Sequence, residues 1–256
     1  MVMIDLSIKI KCHTFKYISV ATIIGLIILI SSCTNRQITN NYNNPVISFF
    51  SHYVCDMQNA TKIIIKYELI SNLTHLLIMD NGGNKYYLLE HEHITEMLNN
   101  VTHKLYDDLI ITNNIYQVVY SMQNKNYYGR RIFDISPLLQ QCLMKCNYKD
   151  ISIYEPSEYP VMSGNFNFCV VYPITSNERN KGFLIGFINQ IKLYDVLPED
   201  AIIVDKYGMV IIKPEKSIVN TIPIPDLQNN YGTFEQKQYS IMEIKYKNIE
   251  WYLLYP

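Results

Sequence analysis

The chain has 256 residues and a formal net charge of −1 at pH 7. Apolar residues make up 48% of it, which excludes wholesale disorder and suffices for one large or two small domains with a hydrophobic core. The near-zero charge offers no electrostatic footprint for nucleic acid, so no nucleic-acid partner is expected.

The N-terminal segment has the pattern of a membrane anchor. Lys9, Lys11 and Lys16 precede an uncharged apolar run over residues 17–33. Cations ahead of an apolar run favour a cytoplasmic N-terminus. We therefore expect residues 1–16 in the cytoplasm and the folded part outside it, held at the cell membrane by a single N-terminal anchor.

Two kinds of anchor fit the run. A retained transmembrane helix needs about 20 apolar residues, slightly more than are present. A cleaved signal has a shorter apolar stretch that ends in small residues. The end of the run, Ile30-Ser31-Ser32-Cys33, resembles a bacterial lipobox, in which Cys33 would be lipidated and become the new N-terminus. The sequence leaves the retained helix and the lipid anchor as alternatives.

Helices are predicted for the chain after the anchor. Residues 34–45 are polar and rich in Asn, which predicts a linker. From residue 46 to residue 80, apolar residues recur every three or four positions without Gly or Pro, so one long helix is expected there. Asn81-Gly82-Gly83 ends that pattern, and a second helix is predicted over residues 89–111.

The second half of the chain predicts β-structure in two groups. Ser136-Pro137 opens a short helix, because Ser caps well and Pro fits the first helical turn. The first group of strands ends with a short helix that stops at Pro198. We expect one module over residues 46–198, including the long helix, and a second over 199–256. The predicted strands are 115–120, 165–175, 182–189, 201–204, 209–212, 239–246 and 249–255.

Cysteines leave several alternatives open. Cys12 would be cytoplasmic, and four exported cysteines permit two disulfides in three possible pairings, which the sequence does not distinguish. Cys142 and Cys146 share a helix face, but no further metal ligands accompany them, so structural cysteines, free or paired, are favoured over a metal site. The exported cysteines are Cys55, Cys142, Cys146 and Cys169.

The order of elements resembles the extracytoplasmic double-Cache sensor region of bacterial receptors, in particular YesM-like sensor histidine kinases. The resemblance rests on the hairpin from Val170-Val171-Tyr172-Pro173-Ile174 into residues 182–188, on residues 201–211, and on Glu250-Trp251-Tyr252-Leu253-Leu254. It implies an α+β fold, with a long N-terminal helix packed on two PAS-like antiparallel sheets. It also implies the ligand-sensing region of a signal-transduction receptor, here without the kinase part.

The family continues into a second membrane helix and a kinase, which this sequence does not contain. An alternative is therefore a stand-alone Cache-fold lipoprotein that binds a small solute or a partner. The expected partners are the membrane and either a small-molecule ligand, such as an amino acid or carboxylate, or an extracytoplasmic protein. A homodimer is left open.

Residues 127–134 form the candidate ligand contact, because they combine aromatic rings with two cations and a carboxylate. An Arg can bind a carboxylate through two parallel hydrogen bonds. In double-Cache sensors such groups line the distal pocket, although the amino-acid-binding Arg-x-Trp-Tyr core of that superfamily is not reproduced here. The alternative is a surface loop with solvated Arg side chains. The predicted ligand-binding residues are Tyr120, Tyr128, Arg131, Asp134 and Tyr172.

No catalytic motif is present, so the chain is predicted not to be an enzyme and to use no cofactor. It lacks a phosphate-binding Gly-rich loop and a nucleophile elbow. The triplet His91-Glu92-His93 lacks metal-binding spacing on a helix and is predicted to be a solvated helix face.

Overall fold

The computed structural model describes residues 44–146, 149–158, 166–176, 179–213, 220–222, 231–234 and 237–256. The predicted anchor over residues 17–33, with Cys33, lies outside these ranges. Within them, no helix is long and apolar enough to cross a bilayer.

Within the described ranges, three helices precede the first strand. Asn44 begins the first of them, because its side-chain oxygen accepts hydrogen bonds from the backbone N–H groups of Val46 and Ile47, at 3.0 and 3.3 Å. Pro45 occupies the first helical position, where its missing N–H costs nothing. The helices are α1 (Pro45–Lys66), α2 (Leu69–Asp80), α3 (Lys85–Thr102), α4 (Ile132–Ile135), α5 (Pro137–Lys145) and α6 (Gln190–Tyr194).

The prediction of one helix over residues 46–80 is wrong. Glu68 takes a left-handed backbone conformation with φ 49°, which separates α1 from α2. The buried residues explain the break. Ile64 and Leu69 are both buried, yet five residues turn an unbroken helix by about 140° beyond a full turn. The break allows both side chains to be buried.

The predicted second helix is also wrong in its extent. Helix α3 begins at Lys85 and ends at Thr102, because His103 and Lys104 have positive φ angles of 50° and 58°. Leu109, predicted on this helix, is a fully buried residue of a strand. The hydrophobic residues after Thr102 therefore belong to the sheet.

Two five-stranded antiparallel sheets follow, which confirms the predicted α+β class. The first has the strand order β2-β1-β5-β4-β3 and the second the order β7-β6-β10-β9-β8. The predicted module boundary at residue 198 falls between α6 and β6, and the division into modules over residues 46–198 and 199–256 stays a prediction. The first-sheet strands are β1 (Asp108–Asn113), β2 (Val118–Ser121), β3 (Ser152–Glu158), β4 (Phe166–Ser176) and β5 (Arg179–Asn189). The second-sheet strands are β6 (Ile202–Asp205), β7 (Val210–Ile212), β8 (Tyr231–Phe234), β9 (Lys237–Tyr246) and β10 (Ile249–Tyr255).

A close approach of Tyr106 to Gly186 attaches α1 to the first sheet. A Cβ atom at Gly186 would lie 2.4 Å from the Tyr106 ring, so only glycine leaves room for the ring on the sheet. From there the Tyr106 hydroxyl donates a hydrogen bond to the backbone carbonyl of Tyr53 in α1. The glycine in β5 thus supports a contact with a helix more than 130 residues earlier in the chain.

The turn between β9 and β10 bonds to the first sheet. The side-chain oxygen of Asn248 accepts from the backbone N–H of Ile153 at 2.6 Å, and its amide donates to the Ile153 carbonyl at 2.7 Å. The amide therefore pairs with β3, the outermost strand of the first sheet, as a neighbouring strand would. Lys247 forms an ion pair with Asp150 beside it, at 2.8 Å.

Replacing Asn248 tests this bridge. Asn248→Ala removes both hydrogen bonds to Ile153, and each such bond contributes about 0.5–1.5 kcal/mol net. We expect the free energy of unfolding to fall by about 1–2 kcal/mol in urea denaturation.

The matched control is Lys247→Gln, which removes only the partly exposed ion pair and should cost less than about 1 kcal/mol. Equal losses in both variants would contradict a specific role for the Asn248 amide.

Candidate functional site

An aromatic cluster fills the space between α3 and the edge strand β2. The Tyr128 ring stacks on Tyr87 with a centroid separation of 3.9 Å and an interplanar angle of 6°. His91 lies with its edge toward Tyr87 and is stacked against Tyr120, each at 5.3 Å. Two of the predicted ligand residues, Tyr120 and Tyr128, therefore lie together in this cluster, and both are buried.

The hydroxyls of these two tyrosines already have partners within the protein. The Tyr120 hydroxyl and the Thr95 side chain share a hydrogen bond of 2.8 Å. The Tyr128 hydroxyl donates to the Asp80 carboxylate at 3.2 Å, and the same carboxylate accepts from the backbone N–H groups of Tyr86 and Tyr87. Partial burial opposes ionisation of Asp80, but these donors outweigh it and lower the pKa of its carboxyl.

His91 forms a buried hydrogen bond with the outer edge of β2. Its Nε2 lies 2.9 Å from the carbonyl oxygen of Ser121, so Nε2 carries the proton and donates. The Tyr87 hydroxyl accepts from the Ser121 N–H at 3.2 Å and donates to the same carbonyl. Burial lowers the pKa of His91, and nearby Lys125 adds to the effect, while the bond to Ser121 opposes it.

The interpretation of His91-Glu92-His93 as a solvated face is thus wrong for His91. Its side chain is only 4% exposed, whereas Glu92 and His93 are exposed. Sequence spacing alone did not indicate that α3 packs against the sheet through the face that carries His91. In the described part of the chain, no group of three His, Cys, Asp or Glu side chains is placed to hold a metal ion.

Residues 129–131 run beside β2 and form a polar rim along its outer edge. The Gly129 N–H donates to the Val118 carbonyl and the Val118 N–H to the Arg130 carbonyl, both at 2.8 Å. Arg130, Arg131 and Asp134 are exposed. The Arg130 guanidinium donates to the Asp134 backbone carbonyl at 3.0 Å. Within the described ranges, no carboxylate pairs with Arg131, whose guanidinium faces solvent.

Tyr172 lies apart from the other predicted residues. It occupies β4 and is half-buried. The register Tyr120–Ile111–Leu184–Tyr172 places it in the same cross-strand row as Tyr120 but three strands away, about 14 Å. The five predicted residues therefore occupy three places: the aromatic cluster (Tyr120, Tyr128), the rim (Arg131, Asp134) and β4 (Tyr172). Their role in ligand binding stays a prediction.

The opposite face of the first sheet carries an apolar cluster that includes three cysteines. Helix α5 covers this face, and it starts as predicted, with the Ser136 side chain accepting from the Leu139 N–H. Cys142 from α5 and Cys169 from β4 share a hydrogen bond between their thiols. The Tyr154 hydroxyl donates to the Cys142 carbonyl at 2.6 Å, which holds β3 against α5.

A cleft of about 360 Å³ opens beside this cluster, between α5, β3 and the start of β10. Glu155 of β3 accepts a hydrogen bond from the indole of Trp251, which is 3% exposed. Loss of hydration raises the pKa of the Glu155 carboxyl and the charge of Asp205 adds to this, while the indole bond opposes it. The walls of the cleft include Gln141, Cys142, Lys145, Tyr154, Glu155 and Trp251.

The comparisons with known proteins show the fold. The chain is similar to the ligand-binding domain of the Pseudomonas fluorescens chemoreceptor CtaA in complex with L-alanine, with TM-score 0.56 and 13% identity, over 82% of this chain and 89% of that one. The complex of the same domain with L-leucine gives TM-score 0.55 and 13% identity, over 86% and 94%. No protein-family model and no curated protein matches the sequence. The chain has the fold of Cache-type ligand-binding domains.

The sequence interpretation missed the cleft and the residues around it. Glu155, Asn248 and Trp251 come from distant parts of the chain, and each alone has an ordinary sequence context. A single Trp in 256 residues was the one available signal, since a large buried ring commonly joins packed elements.

Because burial lowers the pKa of His91, the free energy of unfolding should fall as the pH drops from about 7 toward 5. In that window the unfolded chain binds a proton that folded His91 resists. The slope from this residue is at most about 1.4 kcal/mol per pH unit. His91→Gln, which keeps a donor for Ser121, should flatten the slope in urea titrations at several pH values.

The control is His93→Gln, two residues further on the same helix and exposed. It should leave the pH slope as it is. A wild-type slope that survives His91→Gln would assign the pH dependence to another group.

Proposed function

We propose that this chain is the extracytoplasmic ligand-sensing region of a membrane-bound signal-transduction receptor. The observation that carries the proposal is the pair of antiparallel sheets, which matches a chemoreceptor ligand-binding domain over more than four-fifths of the chain. The apolar run over residues 17–33 supports a membrane anchor ahead of the folded region.

We further propose a sensor histidine kinase as the class of receptor. The resemblance of residues 182–188 and 201–211 to YesM-like sensors supports this assignment. A sensor of this kind works if ligand binding favours one of two arrangements of the molecule. The contacts of Asn248 and Trp251 with the first sheet would transmit such a change from the first sheet to the second, since they join the second sheet directly to β3.

The proposed ligand is a small amino acid or carboxylate bound at the rim beside β2. CtaA is described with L-alanine and L-leucine bound, which supports this chemical class. Arg131 contributes an exposed guanidinium, which can bind a carboxylate through two parallel hydrogen bonds. Asp134, exposed three residues later on α4, supplies a negative charge for an amino group.

A thermal-shift screen of the purified chain against amino acids and short carboxylates tests this proposal. A ligand present at about 100 times its dissociation constant adds about 2.7 kcal/mol to the free energy of unfolding. Arg131→Ala should weaken binding by one to two orders of magnitude, since a charge-assisted bond contributes roughly 1–3 kcal/mol. The melting temperature without ligand should stay nearly unchanged.

Arg130→Ala is the matched control, because the Arg130 guanidinium already bonds to the Asp134 carbonyl. It should change the affinity little. Equal small effects of both substitutions would mean that the rim is solvated surface. The absence of any stabilising solute would count against small-molecule sensing as a whole.

A second candidate function is a stand-alone lipoprotein with the same fold, which the Ile30-Ser31-Ser32-Cys33 sequence favours. Lipidation of Cys33 would then anchor the mature chain. In that case Cys33→Ala should block processing and leave a longer, unlipidated precursor, detected by intact mass and detergent partitioning. Unchanged mass and membrane retention in the variant would favour the retained helix.

A further inference from the structure

Two thiols from different elements meet on the apolar face of the first sheet. Cys142 on α5 and Cys169 on β4 share an S–H···S hydrogen bond, and both pack in the cluster between α5 and the sheet. The backbone geometry places them side by side: the Tyr154 hydroxyl donates to the Cys142 carbonyl at 2.6 Å, and Tyr154 lies directly opposite Cys169 in the β3–β4 register.

The two thiols differ in exposure, which decides which of them meets a dissolved oxidant first. Cys142 lines the cleft, where a solute can reach it, whereas Cys169 is only 1% exposed. The hydrogen bond from Cys169 lowers the pKa of the Cys142 thiol, and Lys145 adds to this against the effect of burial. The same bond and burial hold the pKa of Cys169 well above its usual value. Cys142 is therefore the attacking thiol.

We propose that Cys142 and Cys169 form a disulfide by exchange with a disulfide oxidant that enters the cleft. The Cys142 thiolate attacks one sulfur of the oxidant, forming a mixed disulfide and releasing the first oxidant thiol. Cys169, after losing its proton to solvent, attacks the Cys142 sulfur and releases the second oxidant thiol. The two protein thiols lose two electrons and two protons, and the oxidant disulfide is reduced to two thiols.

The other described cysteines are poor competitors. Cys146 is 5% exposed, and burial raises the pKa of its thiol to about 11. It also lies four residues after Cys142, where helical Cβ atoms are about 5–6 Å apart, farther than a disulfide allows. Cys55 is exposed on α1 and belongs to neither the cluster nor the cleft wall.

The bond would attach α5 to β4 and so fix one wall of the cleft. Closing the loop from residue 142 to residue 169 constrains the unfolded chain, and the melting temperature should rise by roughly 5–15 °C. The inference does not depend on ligand binding at the rim, but it rests on the proposed extracytoplasmic location, because disulfides form and persist in oxidising surroundings.

The experiment uses the purified full chain, reduced and then equilibrated with oxidised glutathione. Remaining thiols are blocked with N-ethylmaleimide after the protein is unfolded in denaturant, so that the buried Cys169 also reacts, and peptides are mapped by mass spectrometry without reduction. The expected product is a cross-linked pair of peptides containing Cys142 and Cys169, preceded by a transient glutathione adduct on Cys142. The oxidised protein should melt at the higher temperature, and a thiol reductant should reverse the shift.

Two variants sharpen the test. Cys146→Ala should still give the Cys142–Cys169 cross-link, whereas Cys169→Ala should leave the glutathione adduct on Cys142 as the end product. The proposal is overturned if both wild-type thiols remain open to N-ethylmaleimide after equilibration. It is equally overturned if Cys142 pairs with Cys146 or if the wild-type adduct never resolves.

Discussion

The packing of Trp251 against Phe50 and Phe168 is the contact on which the arrangement of the molecule depends. The three rings come from β10, α1 and β4, with centroid separations of 5.1 to 5.9 Å and tilted or edge-on geometries. Aromatic rings bury a large area and prefer such angles, so this one cluster sets the second sheet against both the first sheet and the first helix. The indole N–H also donates a hydrogen bond to Glu155, which links Trp251 to β3.

The two edge strands of the first sheet, β2 and β3, contact different parts of the molecule. The β2 edge is covered by α3, whose Tyr87 and His91 bond to the main chain of Ser121. Such cover protects an edge from pairing with another chain. The β3 edge instead bonds to Asn248 in the turn between β9 and β10 of the second sheet.

This division constrains how a sensor of this construction would work. The candidate rim borders β2, whereas the contacts with the second sheet are made by β3 and β4, three to four strand spacings or about 14–19 Å away. A ligand at the rim would therefore act through a movement of the whole sheet or of the helices on it. The cleft, which Cys142 lines, lies beside the inter-sheet contacts, so a disulfide between Cys142 and Cys169 would act directly on that coupling.

The sequence by itself determined the elements whose signals are local. The helix after Ser136-Pro137, the β4–β5 hairpin and the last hairpin with its turn at Lys247-Asn248 occur as predicted, because capping, alternation and turn residues act over a few positions. Only the tertiary structure decided the break at Glu68, the strand at Leu109, the burial of His91 and the placement of Cys142 and Cys169 in one apolar cluster. Each of these depends on a partner far away in the chain: the face of a sheet, an edge carbonyl or another thiol. Periodicity reports that a residue is apolar or polar, but it does not report which distant residue will bury it.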